Sequence, residues 1–169
     1  IVKNPSAELL AERQNLDGSI VLATMEGARP LLVEIQALVN PTNFGYPKRT
    51  ASGFDLNRLN LLVAVLEKRT KLKLADKDIY VNVVGGLKLN DPAADLAVAM
   101  AIASASAGRS LDEGAVVFGE IGLGGEVRSA TNWQARIKEA KKLGFTYAIA
   151  PKVHKDKFIK GVSDMRQAL

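Results

Sequence analysis

The chain has 169 residues, 47 % hydrophobic but only 5 % aromatic, which is the length of one domain with an aliphatic, alanine-rich core. It contains no cysteine and one histidine, His154, so a disulfide framework, a thiolate metal site and a His-based zinc cluster are excluded. Lys and Arg total 23 against 18 Asp and Glu, and the net charge of +5 suits either a polyanionic partner or plain solubility.

The chain opens at Ile1 rather than methionine, which leads us to expect a piece of a longer protein. Residues 1–17 read as a connector with one helical turn, in which Asn4-Pro5-Ser6 is a turn or cap signal. Asp17-Gly18 is a turn. Residues 19–24 and 31–39 form a hairpin about Gly27, and residues 40–47 are a loop rich in breakers that carries Phe44 and Tyr46. A short strand follows over residues 48–53. Asp55 caps a helix over residues 56–70, whose Leu56, Leu59, Leu62, Val63 and Leu66 recur at helical spacing and face the core.

Residues 79–84 read as a buried strand closed by Gly85-Gly86. Asp91 and Pro92 then open a helix that runs to Gly108, as N-cap and first helical residue. Its apolar run, residues 96–107, is too short to span a membrane. A strand over residues 115–118, a glycine-rich hairpin, a helix over residues 132–143 with Trp133, Ile137 and Ala140 on one face, and a strand over residues 145–150 complete the order. Residues 151–169 read as loop plus a short terminal element. A hairpin followed by alternating helices and strands makes a mixed α/β, two-layer α+β domain.

The strand–glycine–helix elbow at residues 79–96 is a frame that commonly presents a nucleophile or an anion site. The residue just inside this helix is Ala93, a methyl group that attacks nothing. Asp91 and Asp95 fall in the first helical turn, where they complement the dipole and disfavour a bound phosphate. No P-loop occurs, and Gly122-Leu123-Gly124-Gly125-Glu126-Val127 lacks the last glycine of a dinucleotide fingerprint, so it reads as a hairpin turn. Ser104 and Ser106 have no base at fixed spacing and read as close-packing residues. His154, in a lysine-rich tail, reads as solvated, and Trp133 as a core anchor.

From Gly18 onward the chain resembles the proteolytic domain of Lon proteases. More closely, it is similar to the Lon-like C-terminal domain of the RadA (Sms) family of bacterial recombination proteins. The match is carried by Glu26-Gly27-Ala28-Arg29-Pro30 and the strand after it, by Asn57-Arg58-Leu59-Asn60 and its helix, by Val81-Asn82-Val83-Val84-Gly85-Gly86 with Asp91-Pro92-Ala93-Ala94-Asp95, and by Gly119-Glu120-Ile121-Gly122-Leu123-Gly124-Gly125-Glu126-Val127-Arg128.

The resemblance implies a ribosomal protein S5 domain 2-like, Lon proteolytic-domain fold over residues 18–169. Residues 1–17 would be the connector from a RecA-like ATPase domain. Lon enzymes use a Ser–Lys dyad. Alignment puts Ala93 at the serine and Gln134 at the lysine, while Asp95 replaces the second glycine of the serine motif. A methyl cannot form an acyl-enzyme and a neutral amide cannot take its proton, so the resemblance implies a peptidase-dead domain without catalytic residues.

Members of the family are implied to be hexameric ring ATPases that promote branch migration in recombination and repair. ATP and Mg would sit in the motor domain and Zn in an N-terminal finger, leaving no cofactor here. A cytoplasmic location, a homohexamer and a RecA recombinase partner for the full-length protein follow from the same resemblance.

For contact with single- or double-stranded DNA without sequence preference, the candidates are basic residues at element edges. Arg29 precedes a hairpin strand, Lys48 and Arg49 follow the aromatic loop, Lys88 lies in the loop before the degenerate dyad site, and Arg128 ends the glycine hairpin. Arg58 stands in a first helical turn where a cation is disfavoured, which points to a partner or to a carboxylate such as Asp55. Lys138, Lys141, Lys142 and the tail lysines read as solvated faces. Two other readings stay open: an oligomerisation scaffold without DNA contact, and a serine peptidase with a displaced nucleophile.

Overall fold

The computed structural model describes residues 4–43 and 45–169. The start of the expected connector and Phe44 of the breaker loop lie outside the described residues. The elements in order are α1 (Pro5–Leu10), β1 (Ser19–Glu26), β2 (Arg29–Pro41), β3 (Arg49–Ser52), α2 (Leu56–Arg69), β4 (Lys77–Val83), a 3₁₀ turn (Pro92–Ala94) that runs into α3 (Asp95–Ala107), β5 (Ala115–Val117), β6 (Glu120–Ile121), β7 (Val127–Arg128), α4 (Trp133–Lys142), β8 (Tyr147–Pro151), β9 (Ile159–Val162) and α5 (Met165–Ala168).

Seven strands form one sheet in the order β3-β4-β2-β1-β5-β8-β9, and β6 pairs with β7 in a separate hairpin. The β1–β2 hairpin is antiparallel with Leu22 opposite Val33, and β2 pairs antiparallel with β4. β3 runs parallel to β4, while β5, β8 and β9 extend the other side in parallel with β1. The expected mixed α+β, sheet-and-helix architecture is therefore present. Residues 19–24 and 31–35 are buried without a break, which requires cover on both faces of the hairpin there. Beyond Ile35 the strand alternates, with Gln36, Leu38 and Asn40 exposed.

Local chemistry sets the boundaries. Asn4 caps α1 by accepting from the Ser6 N–H at 2.8 Å, Asp55 caps α2 through the Arg58 N–H at 3.1 Å, and Gly108 ends α3 in the left-handed conformation at φ 66°. α3 is buried from Asp95 to Ala103, so its small residues pack on all sides rather than along one stripe.

Three readings are corrected. Leu56, expected in the core, is 45 % exposed, while Val65 takes a buried place on α2. Residues 151–169 hold a further strand, β9, which pairs with β8 at the edge of the sheet, where a run as short as Ile159–Val162 gives little periodicity to read. Residues 4–17 also do more than link: Ser6 is fully buried, and its hydroxyl accepts from the Leu32 N–H at 2.8 Å and donates to Glu139 Oε2 at 2.9 Å. This joins α1 to both β2 and α4, along the part of β2 that extends past its pairing with β4.

The topology brings several connections to one end of the sheet. The C-terminal ends of β1, β4, β5 and β8, the start of β2 and the N-termini of α2 and α3 all lie there. The elbow sits among them.

Candidate functional site: a closed elbow and the cations around it

The elbow is built from the backbone outward. Asp91 turns the chain in an extended conformation and its Oδ1 accepts from the Ala93 N–H at 3.0 Å. The Ala93 carbonyl accepts from Gly119 N–H at 2.8 Å, and the Gly119 carbonyl accepts from Leu96 N–H at 2.9 Å, which stitches the elbow to the end of β5. Ala93 is 2 % exposed. Ala93, which the resemblance sets at the Lon serine, is thus a methyl group inside the core.

Asp91 is also one half of a buried ion pair. Arg136, on α4, is fully buried and grips both carboxylate oxygens, Oδ2 from Nη1 at 2.5 Å and Oδ1 from Nη2 at 3.1 Å. The same guanidinium donates to the Ala23 and Thr131 carbonyls, each at 2.9 Å, and its carbon lies 5.5 Å from the centre of the Phe118 ring. Thr24 Oγ1 at 3.0 Å and the Met25 N–H at 3.2 Å complete the shell of Asp91. Burial alone would raise the Asp91 carboxyl, but the Arg136 hydrogen bonds and charge and the N–H groups of Ala93 and Met25 outweigh it and hold the group below the ordinary carboxylate range.

Asp95, 1 % exposed, has a parallel arrangement. Arg58 donates to Oδ1 through Nε at 2.9 Å and to Oδ2 through Nη2, and Nη2 also reaches the Ile121 carbonyl at 2.9 Å. The Ile121 N–H donates to Asp95 Oδ2 at 3.0 Å. The hydrogen bond to Asp95 raises the Arg58 guanidinium above its ordinary value, against the opposing effect of burial. Asp91 and Asp95 are therefore more than dipole-complementing caps: each neutralises an arginine. Arg136 carried no signal in the sequence, because a buried arginine on a Lys-rich helix looks like its solvated neighbours.

Gln134, which the resemblance sets at the Lon lysine, is exposed, two residues before the inward-facing Arg136. Successive positions two apart lie roughly 200° apart around a helix, so the two side chains leave α4 on different sides. Ser104 is engaged as well, its hydroxyl accepting from Gly18 N–H at 2.8 Å and donating to the Arg109 carbonyl.

His154 is a correction. It is half-buried, stacks on Trp133 with ring centres 5.0 Å apart and planes at 18°, and its Nε2 accepts from the Ala130 N–H at 2.9 Å. Burial and then the charge of Arg136 push its imidazole below the ordinary value. The pair fastens residues 151–154 over the start of α4.

The candidate cations fall into two groups. Arg29 at the start of β2, Lys88 in the loop of the elbow, Arg128 on β7 and Arg58 at the start of α2 belong to the elbow end of the sheet. Lys48 and Arg49 belong to the other end, where β3 begins opposite Ile79. Two of the six are already satisfied internally: Arg58 by Asp95, and Arg49 by the carbonyls of Lys77 and, at 3.0 Å, Leu74. Lys48 is tied by its main-chain N–H to Asp78 at 2.7 Å, the bond that does most to hold that carboxylate below its ordinary range.

Arg29 and Lys88 are exposed, and their side chains have no ion-pair or hydrogen-bond partner among the described residues. Arg128 is 62 % exposed, with a long contact of 3.9 Å to Glu126. Lys88 is held in place by its loop: Gly53, at φ +81°, accepts from the Leu89 N–H at 2.8 Å, and a Cβ there would lie 2.4 Å from the Leu87 carbonyl oxygen. Among the described residues no group of three or more metal-ligating side chains occurs, and no helix is long and apolar enough to cross a membrane.

A helix-capped elbow, a glycine hairpin beside it and α4 behind it all fall within one matched region. Residues 58–154 fit the family model described as "Subunit ChlI of Mg-chelatase", and the chain belongs to that family. Curated relatives bear a different name. "DNA repair protein RadA" of Bacillus subtilis is 47 % identical over 176 residues, covering 99 % of this chain and 38 % of that protein. The proteins of the same name from Rickettsia bellii and Halalkalibacterium halodurans are 49 % and 51 % identical, each over 89 % of this chain and over 34 % and 33 % of their own length. The resemblance to the RadA C-terminal domain is borne out, and the chain spans about a third of the length of these relatives.

Proposed function

We propose that this domain is a peptidase-dead Lon-like module of a RadA-type DNA repair protein, and that it contacts DNA with the elbow end of its sheet. The observation that carries the reading is the condition of the elbow: the methyl of Ala93 is in the core and Asp91 is closed by Arg136, while Arg29, Lys88 and Arg128 remain exposed around it. Phosphate neutralisation by such residues gives affinity without sequence preference.

The relatives' printed name, a DNA repair protein, supports the same reading, and chelation is not taken over from the family description. Ring assembly, an ATPase motor elsewhere in the full-length protein and branch migration belong to this proposal too. In a ring, each exposed cation would be repeated once per subunit around the DNA. The displaced-nucleophile reading loses support from Ser104, whose hydroxyl is fully occupied.

Fluorescence anisotropy with a labelled oligonucleotide at low salt tests the proposal. The triple change of Arg29, Lys88 and Arg128 to Ala is expected to weaken binding at least tenfold, and Lys48→Ala to change it less than twofold. Equal effects from both ends of the sheet, or none, would contradict it.

A further inference from the structure

The ends of α2 and α3 far from the elbow frame an open groove of about 720 Å³, within the size range of ligand sites. By helical rise it lies about 20 Å from the elbow along α3. Its floor is aliphatic: Ile20, Leu72, Met100, Ala103 and Leu111 line it. Its rim is cationic, with Lys68 and Arg69 in the last turn of α2, Lys71 just past it, Arg109 following α3, and Arg166 on α5.

All five cations are exposed and none has an ion-pair or hydrogen-bond partner for its side chain among the described residues. No aspartate or glutamate is among the lining residues. Cations at a helix C-terminus suit the dipole, which accounts for Lys68 and Arg69 but not for Arg109 and Arg166 converging on the same apolar floor.

We infer that this groove docks an acidic, amphipathic peptide segment of a partner protein, with apolar side chains on the floor and carboxylates against the rim. Charge complementarity selects an anionic occupant and the floor selects one with aliphatic or aromatic anchors. A nucleic acid fits less well, because its phosphates would use the cations alone and leave the apolar floor uncovered.

The probe is a fluorescein-labelled twelve-residue peptide of Asp and Glu bearing Leu and Phe at helical spacing, titrated with the whole chain. A control peptide carries Ser in place of Leu and Phe. The anchored peptide is expected to bind at least tenfold more tightly than the control, and R69E/R109E, two exposed changes whose folding is checked by thermal melting, to abolish that binding. Amide shifts in the nuclear magnetic resonance spectrum are expected at Leu72 and Ala103.

Equal binding of both peptides, or an unchanged affinity in R69E/R109E, would overturn the inference. So would displacement of the peptide by oligothymidylate, which would make the groove a nucleic-acid surface, or a concentration-dependent dimer lost in R69E/R109E, which would make it a contact between copies.

Discussion

Arg136 and Asp91 are the residues on which the elbow depends. A buried carboxylate without its partner costs about 3–5 kcal/mol. R136M removes the guanidinium, its two carbonyl acceptors lose their donor, and Asp91 is left in the core without its charge partner. We expect R136M and D91N each to lower the urea-derived stability by several kcal/mol, and the double variant to lose clearly less than their sum, with a coupling of about 1–3 kcal/mol. Additive losses would show that the pair does not act as a unit.

His154 gives a separate signal. Its folded-state value is depressed, so its contribution to stability is present above the unfolded-state value of about 6.5 and is lost as pH falls through the folded value. As it is the chain's single histidine, the melting temperature should drop between pH 7 and pH 5, and H154Q, which can still accept from Ala130, should flatten that drop. An unchanged slope in H154Q would place the pH dependence elsewhere.

Among the elements, those with strong local signals were readable and those held by distant contacts were not. The caps at Asn4, Asp55 and Asp91 and the stop at Gly108 are local chemistry and fall where the sequence puts them. The hairpin about Gly27 and the glycine turn between β6 and β7 follow from the same kind of signal. The frame of the elbow and the missing nucleophile at Ala93 were likewise legible.

The arginine partners were not, because Asp91–Arg136 and Asp95–Arg58 join residues 45 and 37 positions apart, and single-sequence pattern holds no such distance. β9 was hidden by its shortness, and the packing of α1 by the single serine that makes it. Ser6 offers a test at this scale. S6A leaves the Leu32 N–H and the Glu139 carboxylate without their partner, a loss of about 1–3 kcal/mol. Hydrogen exchange should then speed up over α1 and residues 29–34 before the rest of the sheet. Uniform exchange would mean that α1 is not a separately anchored element.

For the whole molecule, the excess of positive charge is not spread evenly in meaning. Some of the basic residues are internal structure: Arg136, Arg58 and Arg49 spend their donors on the fold. Others are at the surface, and Arg29, Lys88 and Arg128 share the elbow end of the sheet. The proposal that this end meets DNA implies a specific electrostatic signature, because each neutralised phosphate adds about 0.9 to the slope of log affinity against log salt on duplex DNA. The most direct measurement is that slope, taken on a duplex for the parent chain and for R29A/K88A/R128A. The account predicts a slope shallower by about 2–3 in the triple variant with an unchanged melting temperature. An identical slope in the two proteins would contradict it.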